Sequence, residues 1–159
     1  MSKDEQTLHA AGEAVYRLSA AVIRGIVQPT RISLTSASTL SAVSLGGPQR
    51  VTELAALQGV SQPSMTVVVS ALEQAGLVER APDPTDGRAV LVSATAAGER
   101  FLADRRQVMA EQIAALARRL PEEDAAALVA AVPALVQLRE LQERATQSAG
   151  SATPAPKLK

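Results

Sequence analysis

The sequence predicts a mainly α-helical protein with one small β-hairpin in the middle of the chain. The 159 residues are 47% hydrophobic but only 1% aromatic, so Ala, Leu and Val must form the core, which favours close helix packing over a sheet sandwich. Apolar residues recur every three or four positions in long stretches near both ends of the chain, the period of amphipathic helices. Between residues 77 and 92, two short apolar runs flank a segment dense in turn formers, as in a hairpin.

The first helix is predicted over residues 4–28. Its apolar seam alternates steps of three and four and consists of Leu8, Ala11, Val15, Leu18, Val22 and Ile26. A second, more polar helix starts at Ser33 or Thr35 and ends near Val43, because a Gly-Gly-Pro segment then breaks the chain.

The pattern of helix caps and glycines in residues 52–76 predicts a helix-turn-helix. Thr52 can cap a short helix over residues 53–57, because its hydroxyl can accept an unpaired backbone N–H. Ser61 can cap a second helix, with Pro63 in the first turn, where a missing N–H costs nothing. Glycines that can adopt a positive φ end the two helices: Gly59 and Gly76.

A hairpin is predicted directly after these helices. Residues 77–80 and 88–92 suit short strands, and residues 82–87 form a polar tip between them. A helix-turn-helix followed by a β-wing is a winged helix, which places one helix in a DNA groove and the wing beside it. Residues 31–94 are therefore predicted to form a winged helix-turn-helix DNA-binding lobe.

Two more helices are predicted after the wing. Thr95 caps a long helix that reaches Leu120, and Pro121 starts a last helix with three acidic residues in its first turn. Pro133 lies within that last helix and is predicted to kink it. Residues 146–159 are rich in small residues and are predicted to be a disordered tail.

Five short segments carry a resemblance to a known family. They are TELA at residues 52–55, SQPSMT at 61–66, LEQAGLVER at 72–80, DPTDGR at 83–88 and TAAG at 95–98. They lie within residues 52–98, about a third of the chain, and they resemble the multiple-antibiotic-resistance regulator (MarR) family of bacterial transcription factors. The resemblance implies a sequence-specific regulator, most often a repressor, that a small-molecule effector releases from DNA.

The terminal helices carry more apolar surface than the winged helix can bury, which predicts pairing with a second copy of the chain. The resemblance implies that residues 1–30 and 95–145 form a helical dimerisation domain. Such a homodimer would read double-stranded DNA as a pseudo-palindrome, with half-sites roughly 34–36 Å apart.

The start of the second winged-helix helix is predicted to read the DNA bases. Gln62 can pair with adenine through its amide, and the Thr66 methyl can contact a thymine methyl. The other predicted contacts supply hydroxyl or apolar groups: Ser61, Pro63, Ser64 and Met65. The alternative is that the hydroxyls only cap and solvate a helix end.

The resemblance assigns Arg88 in the wing to the minor groove, with Asp86 holding its guanidinium. A narrow minor groove concentrates negative potential, which suits arginine. Arg50 and Arg80 are predicted phosphate contacts. The alternatives are an exposed hairpin ion pair, worth little to stability, and ordinary surface charge.

Charge gives the DNA-binding prediction little support. The chain has 16 basic and 16 acidic residues, and residues 51–93 hold two arginines against five carboxylates, a net charge of −3. Where the resembled family commonly carries an arginine after the Met-Thr pair, this chain has Val67. Affinity must then come from a few arginines doubled by dimerisation, since phosphate neutralisation dominates duplex binding. An alternative function is a winged-helix dimer that docks protein and binds DNA weakly or not at all.

A small-molecule effector, aromatic or carboxylate-bearing, is predicted to bind near one phenol, hydroxyls and guanidinium groups. The candidate residues are Tyr16, Arg17, Ser36, Thr39, Phe101 and Arg105. The alternative is that these residues are ordinary core-edge and surface positions.

The composition argues against other classes of protein. With no Cys, one His and no phosphate-binding glycine loop, we predict no catalytic residue, no metal site and no cofactor. No apolar run is long enough to span a bilayer, and the N-terminus lacks the apolar region of an export signal. We therefore expect a cytoplasmic protein without disulfides.

Overall fold

The computed structural model describes residues 2–25 and 32–150. The chain divides into two compact units, one of residues 1–33 and one of residues 34–159. The first unit contains helix α1 (Lys3–Gly25), which confirms most of the predicted first helix. Residues 26–28, including Ile26 at the end of the predicted seam, lie outside the described part of the chain.

The second unit confirms the predicted fold class, because its helices surround one small antiparallel sheet. Its elements, in chain order, are α2 (Leu34–Gly46), β1 (Gln49–Arg50), α3 (Val51–Leu57), α4 (Gln62–Gln74), β2 (Val78–Asp83), β3 (Asp86–Ala94), α5 (Ala96–Ala117), α6 (Glu122–Ala130) and α7 (Val132–Gly150). Helices α3 and α4 with the β2–β3 hairpin form the predicted winged helix-turn-helix.

The predicted N-cap of α4 and the glycines predicted to end α3 and α4 are confirmed. Ser61 has extended backbone angles, and its hydroxyl accepts the backbone N–H of Ser64 at 3.3 Å. Gly59 and Gly76 have φ of 63° and 70°, values that a residue with a Cβ rarely adopts. Local chemistry in this stretch is therefore enough to end α3 and to begin and end α4.

The predicted cap of α3 is wrong, because the helix starts one residue before Thr52 and Arg50 is its N-cap. The carboxylate of Glu53 accepts the backbone N–H of Arg50 at 2.8 Å, which satisfies a donor that the helix leaves unpaired. Arg50 also ends β1, a strand that the sequence analysis did not predict. Helix α3 therefore begins directly from the sheet.

The wing is longer and its tip shorter than predicted. In the sheet order β1-β3-β2, β3 is central, and β2 pairs with it from Val78↔Ala94 to Asp83↔Asp86. The tip is a turn at residues 84–85, rather than the predicted six-residue segment 82–87. The register shifts between Pro82 and Asp83, and such an irregularity re-aims the side chain that follows it.

One core lies between the helices and the sheet of the second unit. Its fully buried apolar side chains come from α2, α3, α4 and β3: Leu40, Leu54, Met65, Val69, Leu72 and Val92. Since all of these are aliphatic or thioether side chains, the core follows the prediction from the low aromatic content.

The helices after the wing differ from the prediction at their ends. Thr95 caps α5 as predicted, accepting the N–H of Gly98 at 3.1 Å, but α5 stops at Ala117 and not at Leu120. The last helix is broken at residue 131 into α6 and α7 rather than kinked, because Pro133 has no N–H for the carbonyl of Val129 and its ring crowds that carbonyl. Helix α7 continues to residue 150, past the predicted start of a disordered tail, and residues 151–159 lie outside the described part.

Gly98 lies where α5 packs closely against the lobe. A Cβ at this position would overlap the carbonyl oxygen of Leu77 and approach Leu40 Cδ1 to 3.0 Å. We expect Gly98→Ala to lower the free energy of unfolding by about 1–3 kcal/mol, because overpacking against backbone cannot be relieved by a rotamer change. Chemical denaturation monitored by circular dichroism measures this loss.

Gly12 gives the matched control, since nothing lies within 4 Å of a Cβ built there within α1. Gly12→Ala should raise stability, by about 0.5–1 kcal/mol if its helix unfolds with the rest, because Ala loses less backbone entropy than Gly in a helix. Equal effects from the two substitutions would contradict the close approach at Gly98.

Candidate nucleic-acid interface

The N-terminal part of α4 presents a polar surface to solvent. The side chains exposed there are those of Ser61, Gln62, Pro63, Ser64, Thr66 and Val67. They include five of the six residues predicted to read bases, and Val67 is 70% exposed on the same helix. The surface holds hydrogen-bonding groups and methyl groups but no formal charge, so it suits base edges better than phosphates.

The hydroxyl groups on this surface already make local hydrogen bonds. The Oγ atoms of Ser61 and Ser64 are 2.8 Å apart, and Thr66 donates its hydroxyl proton to the carbonyl of Gln62 at 2.9 Å. Since a hydroxyl has one proton, Thr66 can offer DNA only its lone pairs and its methyl group while that bond persists. Ser61 fits the capping alternative.

Met65 does not belong to this surface, contrary to the prediction. Its side chain is fully buried, and the Thr39 hydroxyl donates to its sulfur at 3.7 Å. Met65, Val69 and Leu72 share the buried face of α4, because steps of four and three return to the same side of a helix. A direct contact between Met65 and DNA is therefore excluded in this conformation.

Arg80 joins the wing base to the second half of α4. Its Nη2 donates to the Ser70 hydroxyl at 3.0 Å, and its Nε lies 3.4 Å from a Glu73 carboxylate oxygen. The side chain is 31% exposed, so it holds α4 against β2 while one side still faces solvent. The predicted role as a phosphate contact stays a prediction.

Asp83 is the central group of a cluster at the wing tip, and its side chain is only 6% exposed. One carboxylate oxygen accepts the backbone N–H of Thr85 at 2.8 Å and the Thr85 hydroxyl at 2.6 Å. The other oxygen accepts Nε and Nη2 of Arg50 at 2.9 and 2.5 Å. We call Arg50, Asp83 and Thr85 the wing clamp.

The wing clamp shifts the ionisation of its members. The hydroxyl and the backbone N–H of Thr85, followed by the Arg50 guanidinium, lower the pKa of Asp83 to about 2. The hydrogen bond to Asp83 raises the pKa of Arg50. The Asp86 carboxylate lies 3.5 Å from Arg50 Nη2. The backbone of Arg88 lies in β3, but its side chain, and with it the predicted pairing with Asp86, lies outside the described residues.

Asp83→Asn is expected to lower stability at pH 7 and to reduce the acid sensitivity of the fold. A carboxyl whose pKa is lowered by folding stabilises the fold fully above its ordinary value of 3.8, and this contribution is lost as the pH falls toward about 2. The stability gap between wild type and variant should therefore shrink between pH 4 and pH 2. Urea denaturation at several pH values measures this gap.

Asp104→Asn on the exposed surface of α5 is the control for that experiment. Its free energy of unfolding at pH 7 should stay within about 0.5 kcal/mol of wild type, as for most surface substitutions. A gap for Asp83→Asn that stays constant down to pH 2 would contradict the ionic role of Asp83.

Comparison with known proteins agrees with this geometry. Residues 32–90, which span α2 to the middle of β3, match the model of the MarR family. The segment from α2 to the middle of β3 is therefore similar to the MarR family. A Mycobacterium bovis relative named as an HTH-type transcriptional regulator is 37% identical over 91 residues. The aligned region is 55% of this chain and 64% of that relative, slightly less than two thirds of its length.

Solved structures share the fold of this chain beyond the matched segment. A transcriptional regulator from Thermotoga maritima superposes with a TM-score of 0.67 at 24% identity, covering 89% of this chain and 98% of its own. FabT from Streptococcus pneumoniae, solved in complex with DNA, gives a TM-score of 0.53 at 16% identity, covering 86% of this chain and 97% of its own.

The predicted effector residues have different surroundings. On α1, Tyr16 is 73% exposed and Arg17 forms an ion pair with Glu13 at 2.8 Å. On α2, Ser36 and Thr39 are buried, and Thr39 is a core residue rather than an accessible pocket wall. Phe101 and Arg105 on α5 are partly exposed. The effector site stays a prediction.

Sequence reasoning missed Asp83 and Thr85 as members of the site. The local signal was present, since Asp-Pro-Thr is a turn in which the Asp side chain bonds the backbone two residues on. No local signal predicted that Arg50 would pair with Asp83, because the two residues are 33 positions apart in the chain. Within the described ranges, no helix is long and apolar enough to cross a bilayer, and no group of three or more potential metal ligands occurs.

Proposed function

We propose that this chain is a transcriptional regulator of the MarR family, a homodimeric repressor that binds a pseudo-palindromic operator in double-stranded DNA. The observation that carries the proposal is the uncharged, hydrogen-bonding start of α4 lying on the same lobe as a wing fixed by the wing clamp. Gln62, Pro63, Ser64 and Thr66 would contact base edges. Arg88 would enter the minor groove and Arg80 would contact phosphate. Such a repressor would act in the cytoplasm.

Unburied apolar side chains support the homodimer. Among the described residues, α5 buries only Gly98, and α6 buries no side chain. The exposed apolar side chains on α5–α7 include Val108, Leu116, Val129, Val132, Leu138 and Leu141, each at least half exposed. A monomer in water rarely leaves such a surface uncovered. We propose that residues 1–30 and 95–145 form the dimerisation domain.

A Val67→Arg substitution is expected to tighten DNA binding, because Val67 is exposed on the α4 surface and the helix carries no basic residue. Each new phosphate contact should steepen the log–log salt dependence by about 0.9, hence by about 2 for a dimer. Fluorescence anisotropy across a salt series measures both quantities.

Val67→Gln is the uncharged control for the same position and should leave the salt slope unchanged. A Val67→Arg variant with wild-type affinity and slope would show that this surface of α4 does not approach phosphates.

A small-molecule effector would act on the spacing of the two recognition helices. A ligand can shift two conformations only through a difference in its affinity for them, so it would bind the conformation that fits the operator poorly. Aromatic carboxylates are the class to screen first, since Tyr16, Phe101 and the guanidinium groups of Arg17 and Arg105 are the predicted partners.

The test is binding of the purified protein to the DNA upstream of its own gene, with a shuffled duplex of the same composition alongside, from 50 to 300 mM salt. The proposal predicts tighter binding to the upstream DNA, with two protomers per duplex by analytical ultracentrifugation. Equal and weak binding to both duplexes would favour a protein-docking module, which the net charge of −3 over residues 51–93 makes the second candidate.

A further inference from the structure

We infer that Arg50 and Asp83 position the wing for DNA binding, so that Arg50 acts through the wing and not as a phosphate contact. The inference rests on the proposed function, because it assigns a role within the same lobe. It replaces the sequence-based expectation that Arg50 contacts phosphate directly, and three features of the wing clamp carry it.

The first feature is that the Asp83 carboxylate is fully used by the protein. Thr85 supplies two donors to one oxygen, and Arg50 supplies two donors to the other. A carboxylate has about four lone-pair sites, so all of them have a partner in this nearly buried group. The charge of Asp83 therefore fixes the turn at residues 84–85 and the guanidinium at the same time.

The second feature is that the charge of Arg50 is already opposed. Its guanidinium donates twice to Asp83 and lies 3.5 Å from the Asp86 carboxylate, and its side chain is 36% exposed. A phosphate would have to compete with two carboxylates for it. Since affinity from a phosphate contact comes from releasing counterions condensed on DNA, an arginine neutralised within the protein adds little of it.

The third feature is where the wing clamp lies in the sheet. Arg50 pairs with Leu91 of β3, and its backbone N–H bonds the Glu53 carboxylate at the start of α3. Asp83 ends β2, on the other side of β3. The Arg50 side chain therefore crosses the central strand and ties the wing tip to the start of the helix-turn-helix. Arg88 follows Thr85 by three residues, so the tie also fixes the segment predicted to enter the minor groove.

The test compares Arg50→Gln, Asp83→Asn and the double variant, on the tightest duplex that the wild type selects from a random-sequence pool. If the two side chains act as one positioning unit, each single substitution should weaken binding by roughly tenfold, and the double variant should bind no more weakly than either single variant. The salt slope should stay at the wild-type value. Lys157→Gln removes one positive charge outside the proposed DNA-binding lobe and dimerisation domain and should leave affinity unchanged.

Electrostatics alone predicts the opposite result for Asp83. Removing a negative charge near DNA should tighten binding, and a phosphate-contacting Arg50 would lower the slope by about 0.9 per protomer when replaced. Asp83→Asn binding as tightly as wild type or more tightly, together with a lower slope for Arg50→Gln, would overturn the inference.

A second readout needs no DNA. Hydrogen exchange followed by mass spectrometry reports how often the wing amides open, and residues 84–90 of the free protein should exchange at least tenfold faster in both single variants. Unchanged exchange would overturn the positioning role even if affinity falls. If the wild type selects no duplex, the proposed function fails, while the exchange rates still decide whether the clamp orders the wing.

Discussion

An Arg88→Ala variant is expected to lose specific DNA binding while keeping its fold. Arg88 lies in β3 just beyond the wing turn, and the resemblance to the MarR family assigns it to the minor groove. A well-placed arginine contact contributes about 1–3 kcal/mol, so a dimer that loses two should bind at least about thirtyfold more weakly. Anisotropy titration of the selected duplex measures the loss, and the thermal unfolding curve should stay unchanged.

Arg119→Ala provides the comparison for Arg88→Ala, because it removes the same charge from an exposed position after α5. If the two variants bind the duplex equally well, the wing does not contact DNA through Arg88 and only the α4 surface remains as a reader.

Met65→Ala is expected to destabilise the protein by about 2–5 kcal/mol, the usual loss when a buried large side chain is truncated and a cavity remains. Met65 is fully buried beside Thr39, so the truncation also removes the partner of the Thr39 hydroxyl. Urea denaturation measures the loss. The folded fraction should bind DNA as the wild type does, since Met65 does not reach the surface of α4.

Val67→Ala, two positions further along α4, is the control, because Val67 is 70% exposed. Its stability should stay within about 0.5 kcal/mol of wild type. A Met65→Ala variant that is stable but deficient in DNA binding would return Met65 to the predicted reading surface.

Local signals predicted those parts of the fold that local chemistry determines. The Ser61 and Thr95 hydroxyls cap helices within three residues of themselves, and Gly59 and Gly76 end helices because they tolerate positive φ. Each of these signals depends only on residues a few positions away, so it can be read without knowing the rest of the fold. The winged-helix order of elements followed from them.

Long-range pairing explains what the sequence did not reveal. Strand β1 has only two residues, too few for an alternating pattern, and it exists because Gln49 and Arg50 pair with β3. The contact between Arg50 and Asp83 depends on that pairing. The misassignment of Met65 had another cause, since the spacing of Met65, Val69 and Leu72 already marked a buried face. The prediction for Met65 followed the family motif at residues 61–66 and not the helical spacing of the apolar residues.

Selection of a bound duplex from a random-sequence pool would show whether this chain recognises a DNA sequence. We expect enrichment of one pseudo-palindrome, with half-site centres about one helical turn apart, roughly 34–36 Å. Enrichment should fail when Arg88→Ala replaces the wild type. A pool that stays random after repeated rounds with folded, dimeric wild-type protein would contradict sequence-specific DNA recognition by this chain.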